Sequence, residues 1–386
     1  LYSKKFPPMK KVVTALVVLA SALSLVGCSD DGSSGNNAST ESADAFYRPK
    51  NLAIQKVDGS QSLLRILSED DTLTTCSIGA SGDLSACENQ ELDGADVVHQ
   101  MVVNARTGSV YFLQDNADSI LVCDGAGGSI SSCAPATGGG TFTDPEFLAV
   151  NAEGTMAYVA NEDNTLTVCT IAGDGTFGSC TVTDANGALD TPVSIGLVSG
   201  AYGTHAYFLN GETKSEVTAC TLAPNGMPST CQAQNDGTFT APTTIAFSPD
   251  GKYAYIGNLD DSVAVCSVGN DASLSSCHAI DGDNEERFAG ILKIAADTAG
   301  ANVYVANARS STITHCKLTG GGADFADCTP YGIEGFAVTS DFVLSGSAAS
   351  PAMFITSLYN DSVYGCGIEA DGSLADSCIA TRFLAQ

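Results

Sequence analysis

Fourteen of the chain's 15 cysteines fall into pairs ten to twelve residues apart: Cys76/Cys87, Cys123/Cys133, Cys169/Cys180, Cys220/Cys231, Cys266/Cys277, Cys316/Cys328 and Cys366/Cys378. The first members of successive pairs lie 47, 46, 51, 46, 50 and 50 residues apart. A period of this length marks a repeat architecture, in which each unit carries apolar faces that only its neighbours can cover. The unit holding the fifth pair shows the internal order. Residues 244–247 are a short apolar run, 248–251 (SPDG) a turn, 253–258 (YAYIGN) a second run, 262–268 a third and 274–280 a fourth. Four antiparallel strands in under 50 residues make one propeller blade. With charged residues at 16% and 40 glycines, the composition suits short strands and tight turns, and no stretch of the body sustains a helical period. A solenoid of the same period would leave two apolar end faces uncovered, whereas seven units closed into a ring leave none. A strand near Asn51–Ile54 opens the first unit and one near Cys378–Ala380 ends the last, so the ring closes without a strand borrowed from the other terminus.

Each cysteine pair brackets a turn between the third and fourth strands, and turns such as Asp174-Gly175, Asn225-Gly226 and Asp371-Gly372 are hairpin signals. Facing residues on a hairpin have Cα atoms about 4.5–5.5 Å apart, within disulfide reach. The spacing therefore predicts seven local disulfides, each stitching the outermost strand to the one inside it. Zinc sites use much closer cysteine spacings, and the chain has only four histidines.

Tyr158-Val159-Ala160-Asn161, Tyr255-Ile256-Gly257-Asn258 and Tyr304-Val305-Ala306-Asn307, with weaker copies at Tyr111-Phe112-Leu113 and Tyr207-Phe208-Leu209-Asn210, resemble the YVTN-type propeller repeat of surface-layer and periplasmic proteins and of lactonase-like propellers. The resemblance covers roughly residues 46–382 and implies an all-β, seven-bladed propeller. Ala or Gly stands where that motif carries Thr.

At the amino terminus Met9-Lys10-Lys11 precedes an apolar run from Val12 to Val26, and Leu25-Val26-Gly27-Cys28 follows. Basic start, short apolar middle and small residue are the layout of a secretory signal peptide, with residues 1–8 expected to precede the true start at Met9. The run is short for a membrane span, which needs about 20 apolar residues. Leu-Val-Gly-Cys resembles the bacterial lipobox, which implies that Cys28 becomes the first mature residue and carries the lipid. That accounts for the fifteenth cysteine. The expected organisation is a signal peptide over 1–27, a lipidated, flexible tether over 28–45 and the propeller over 46–386. The same resemblance implies sorting: Ser29 after the anchor points to the outer membrane. Anchored to the cell envelope, the domain could face the periplasm or the surface.

The net charge is −28, and without residues 1–27 it becomes −32, from 12 basic and 44 acidic residues. Such a chain repels nucleic acid and anionic headgroups and favours cations or basic partners; equally, the charge keeps an exported protein in solution.

Candidate site residues come from aligning the units on the first apolar residue of each inner strand: Leu52, Met101, Leu148, Ile195, Ile245, Leu292 and Phe336. Pro49, Pro145, Pro192 and Pro242 stand three places earlier and fix the chain entry. The intervening position varies: Lys50, His99, Glu146, Val193, Thr243, Gly290 and Glu334. This places Arg48, Lys50, His99, Glu146, Arg287 and Glu334 at the channel mouth. His99, Glu146 and Arg287 are the candidates for acid–base work on a lactone, as lactonase-like propellers use His, Glu and Arg there, although no motif carries over residue by residue. The alternative is a wet channel lined by solvated loop ends. Turns between second and third strands hold Glu69-Asp70-Asp71, Asp115, Asp118, Glu162-Asp163, Glu212, Asp260-Asp261 and Asp361, an acidic rim that could take Ca²⁺ or a basic partner, or that reflects the turn preference of Asp. The densest acidic loop, Asp281 to Glu286, offers Asp281, Asp283 and Glu285 as a Ca²⁺ set without the EF-hand spacing. No other cofactor is expected. No phosphate loop, dinucleotide fingerprint or nucleophile elbow occurs. Sequence thus ranks an envelope binding scaffold for a protein, glycan or cation above a lactonase-like hydrolase, with a structural envelope component as a further alternative.

Overall fold

The computed structural model describes residues 47–381 apart from 59–60, 80–81, 93–96, 116, 201–202, 211–213, 283–286, 334 and 346–351. The signal, tether and lipidation assignments, Cys28 included, lie outside the described residues. Seven four-stranded antiparallel sheets form seven blades, over residues 49–91, 98–136, 145–183, 192–234, 242–280, 291–332 and 342–381. Sequential strands pair in order within every blade, and both the first and the last blade hold four strands of their own. Among the described residues the one helical element is a 3₁₀ turn at Ala185–Gly187, and no helix is long and apolar enough to cross a membrane.

The core is not inside the blades but between them. Apolar side chains of each sheet pack on the next, giving seven clusters for seven seams. The closing seam joins Phe354 and Val363 of blade 7 to Leu52, Leu64 and Ile66 of blade 1.

The repeat motif has a structural meaning on both counts. Its tyrosine lies fully buried and reaches across the seam. Tyr111, Tyr158, Tyr255 and Tyr304 donate to the carbonyls of Gly175, Gly226, Gly322 and Gly372, each in the third-to-fourth-strand turn of the next blade, at 2.7–3.0 Å. Burial holds these phenols above their ordinary range. The asparagine folds the incoming chain onto its blade: Asn161, Asn210, Asn258 and Asn307 each accept from the backbone N–H two residues before the inner strand, at Thr143, Asp190, Thr240 and Ala289.

All seven expected disulfides are present: Cys76–Cys87, Cys123–Cys133, Cys169–Cys180, Cys220–Cys231, Cys266–Cys277, Cys316–Cys328 and Cys366–Cys378. Their setting differs from a plain hairpin in two respects. First, only three pairs face each other in the ladder, Cys169 with Cys180, Cys220 with Cys231 and Cys366 with Cys378. In the other four blades the ladder skips both members, so Cys87, Cys133, Cys277 and Cys328 sit in bulges opposite Cys76, Cys123, Cys266 and Cys316. The residue before the outer cysteine is left-handed in these same four blades: Ala86, Ser132, Ser276 and Asp327. Cα–Cα separations are 4.0 to 4.3 Å, shorter than the expected range. Second, the bridges are not confined to the blade edge. The inner cysteines are buried, and the outer ones, Cys87, Cys133, Cys180, Cys231, Cys277, Cys328 and Cys378, are partly buried against the seam cores. Each bridge therefore adds apolar surface to a seam as well as pinning an outer strand.

Candidate functional site

Two inner strands lie elsewhere than the alignment placed them. In blade 6 the residue equivalent to Leu52 is Ile294, opposite Val305, not Leu292. In blade 7 it is Phe342, opposite Ile355, not Phe336. The connection into blade 7 is long, and its apolar residues Ile333 and Phe336 pack into the core between blades 6 and 7, which gave them the look of a strand. Phe336 meets the Tyr364 ring edge-on at 5.5 Å.

With the strands set right, the mouth of the channel is a ring of bulges. In blades 1 to 6 the ladder skips one residue near the start of the inner strand: Lys50, His99, Glu146, Val193, Thr243 and Leu292. Ser340 stands at the matching place in blade 7. A bulge leaves its residue out of the ladder and re-aims the side chain. Here several reach the neighbouring blade: His99 Nε2 lies 3.2 Å from the Glu146 carbonyl, Thr243 Oγ1 donates to the Ile291 carbonyl at 3.3 Å, and Ser340 Oγ donates to that of Pro49 at 3.0 Å. The ring is lopsided in chemistry, charged over blades 1 to 3 and apolar or hydroxylic over blades 4 to 7.

Around the charged arc the ionic groups are paired. Lys50 Nζ lies 3.3 Å from Asp71 Oδ1, and His99 Nδ1 lies 2.8 Å from Asp115 Oδ1. A carboxylate thus stands at one ring nitrogen of His99 and a backbone carbonyl at the other. Arg48 Nη1 meets Glu69 Oε2 at 2.7 Å, and its guanidinium stands 5.3 Å over the Tyr359 ring.

One residue further along sits a set that the misaligned strands concealed. Asp341, almost fully buried, accepts from Lys293 Nζ at 2.5 Å, Asn51 Nδ2 at 2.8 Å and the Leu52 N–H at 2.7 Å. Asn51 Oδ1 accepts from the Met101 N–H at 3.1 Å. Gln100 takes the Leu148 N–H at 2.8 Å and donates to the Leu148 carbonyl at 3.2 Å. A polar chain thus runs over blades 6, 7, 1, 2 and 3, supplying partners to inner strands that have no neighbouring strand in the channel. A two-residue shift in blade 6 and a six-residue shift in blade 7 would have brought Lys293 and Asp341 into line with Asn51.

Arg287 is not at the mouth. It lies in the connection into blade 6, where Nη1 donates to the Asp281 carbonyl at 3.2 Å and its own carbonyl accepts from Thr314 Oγ1 at 2.6 Å. Glu334, Glu212, Asp283 and Glu285 lie outside the described residues. Among the described residues no group of three or more His, Cys, Asp or Glu side chains is placed to hold a metal.

The rim carboxylates have a repeated task. One side chain from each second-to-third-strand turn accepts the backbone N–H at the entrance to the next blade's inner strand. The seven pairs are Asp71 with Val98, Asp118 with Asp144, Asn164 with Thr191, Ser215 with Ala241, Asp261 with Gly290, Ser311 with Val338 and Asp361 with Arg48, at 2.5–3.1 Å. Six of the seven acceptor residues are left-handed, a conformation that Asp and Asn tolerate. The Asp361–Arg48 contact closes the circle.

No protein-family model matches the sequence, and no curated protein matches it. Solved structures do match. A proposed 6-phosphogluconolactonase from Bacteroides uniformis aligns with TM-score 0.60 and 17% identity over 80% of this chain and 92% of that one. A protein from Lactobacillus plantarum gives 0.59 and 16% over 78% and 90%, and a proposed 6-phosphogluconolactonase from Bacteroides fragilis 0.56 and 16% over 74% and 85%. At such identities the likeness is one of fold.

Proposed function

We propose that this chain is an extracytoplasmic binding propeller, held to the cell envelope through Cys28, whose acidic body receives a basic protein surface, a glycan or a cation. The observation that carries the reading is the pairing at the channel mouth. Lys50, His99 and Lys293 each lie against a carboxylate, and His99 also meets a neighbouring backbone carbonyl. Lys293 and the His99 Nε2 contact reach the next blade, and with both ring nitrogens facing protein groups His99 has neither turned towards a substrate in this arrangement. Seven disulfides fit an oxidising compartment. The charge of −28 favours cationic partners and disfavours nucleic acid.

A lactonase is the second reading, favoured by the fold of the two proposed 6-phosphogluconolactonases and by His99 at the mouth. The two separate cleanly. The purified chain is assayed on a lactone panel and, in parallel, used to capture partners from envelope extracts at low and high salt. The binding reading expects no turnover and a salt-sensitive partner. Lactone hydrolysis that disappears in His99→Ala would overturn it.

A further inference from the structure

In blades 2 to 6 the seam-crossing position of the second strand is a buried tyrosine; blade 7 has Phe354 and blade 1 has Arg65. Arg65 is fully buried. Its Nε donates to Gln55 Oε1 at 2.7 Å, one Nη to Thr75 Oγ1 at 3.0 Å and the other to the Gly125 and Gly128 carbonyls at 3.3 and 2.9 Å. These partners are neutral, and burial lowers the guanidinium pKa to about 10.

Beside this guanidinium a cleft of about 530 Å³ opens between blades 1 and 2. One wall is the outer part of blade 1, with Thr75, Glu88, Asn89 and Gln90. The other is the glycine-rich turn of blade 2 around Gly127 and Gly128. Hydrogen bonds within the protein fix what each wall group has left to offer. Thr75 Oγ1 accepts from Arg65, which can only donate, so the hydroxyl proton is available. Asn89, paired with Thr74, turns its side chain to the opposite face of the sheet, where Oδ1 accepts from Thr74 Oγ1 at 2.8 Å, so it offers the cleft no side chain. Gln90 Nε2 donates to the Ile130 carbonyl at 3.0 Å, leaving Oε1 to accept. Glu88 adds an exposed carboxylate. Opposite them the backbone at Gly127 is bare, since a Cβ there would meet nothing within 4 Å.

We infer that this seam is a binding site for a small saccharide. A sugar hydroxyl both donates and accepts, and the blade 1 wall sets the Thr75 hydroxyl donor beside the acceptors of Glu88 and Gln90. The volume lies in the usual range for small-molecule sites, about 300–1,000 Å³. Fixed side chains and bare backbone lower the ordering cost of binding. Glu88 is the one charged residue among the described residues lining the cleft, which disfavours an anionic sugar and favours a neutral or amino sugar. This inference rests on the binding reading and names one ligand class for it.

The test uses the full chain and a panel of neutral hexoses, amino sugars and their disaccharides, screened by saturation-transfer NMR and titrated calorimetrically. Glu88→Gln and Gln90→Ala alter the acceptors of this wall and should each weaken the best binder by about tenfold, the worth of a hydrogen bond to a polar ligand. Gly127→Leu, growing into open space, should abolish binding with an unchanged melting temperature. Binding that survives all three variants but disappears in Asn51→Ala or His99→Ala would overturn the seam site and leave the broader reading standing. If no sugar binds while a basic partner is still captured, the saccharide inference alone fails; if neither binds, both fail.

Discussion

Tyr207 differs from its four equivalents in one atom's surroundings. The hydroxyls of Tyr111, Tyr158, Tyr255 and Tyr304 each find a glycine carbonyl. The buried Tyr207 hydroxyl has no partner among the described residues, and neither does either ring nitrogen of its neighbour His205. The turn of blade 5 has Ala272 in the left-handed place that glycine fills elsewhere. Removing the phenol oxygen should therefore have opposite consequences. Tyr158→Phe strands a buried carbonyl and should cost about 1–3 kcal/mol. Tyr207→Phe removes an unsatisfied group and should be neutral or stabilising. Urea denaturation of the two variants decides it; equal losses would show that the hydrogen bond is not what distinguishes them. His205 carries a second prediction. Burial depresses its folded pKa, against smaller opposing effects from the Thr204 backbone and Asp271. The unfolded chain then takes up the proton first, so the stability it contributes is complete above about pH 6.5 and is lost as pH falls from there through the folded value. His315, also lowered by burial, acts in the same sense. Denaturant midpoints between about pH 7 and 5 should fall, and His205→Gln should flatten the slope.

At the scale of single strands, the cysteine staples hold the elements with the least cover. Outer strands expose most of their side chains, as the pattern of Phe177–Thr183 shows, and they are the edges most open to fraying. Replacing Cys169 and Cys180 together by Ser should cost up to about 3 kcal/mol in the chain-entropy account. Hydrogen exchange should speed first in that outer strand while Met156–Asn161 stays protected. Exchange that rises evenly through the blade would argue against a local staple. The pairing was legible in the sequence because a hairpin brings its two strands within reach, and spacing is all that requires. The bulges at Cys87, Cys133, Cys277 and Cys328 were not, because a residue skipped by the ladder leaves no mark in composition. The inner strands of blades 1 to 5 were legible too, since proline or valine marks each entry. Blade 6 enters on Ile291 and blade 7 on Thr339, with no proline to set the frame, and Ile333 and Phe336 are buried without being in a strand. Apolar character reports burial and leaves the element open, so Lys293 and Asp341 could not be aligned with the site from sequence.

Considered as a whole molecule, the ring depends on contacts between residues nearly 300 positions apart. Asp341 joins Leu52 and Asn51 across separations of 289 and 290 residues, and the last rim latch, Asp361 to Arg48, spans 313. Asp341→Ala would leave Lys293 and the Leu52 N–H without their acceptor at the closing seam, and about 2–4 kcal/mol should be lost. Limited proteolysis should then cut first at the junction of blades 7 and 1. Cleavage spread over all seams would mean that the closing seam is no weaker than the others.

Because each core lies between two blades, no blade can bury its apolar faces alone, and the order of completion departs from the order of synthesis. Blade 1 leaves the ribosome first, yet Leu52, Leu64 and Ile66 must wait for Phe354 and Val363, which come near the carboxyl terminus. The first blade made is thus the last to be finished, and through that interval its uncovered sheet is the surface on which a chaperone would act and from which misassembly would begin.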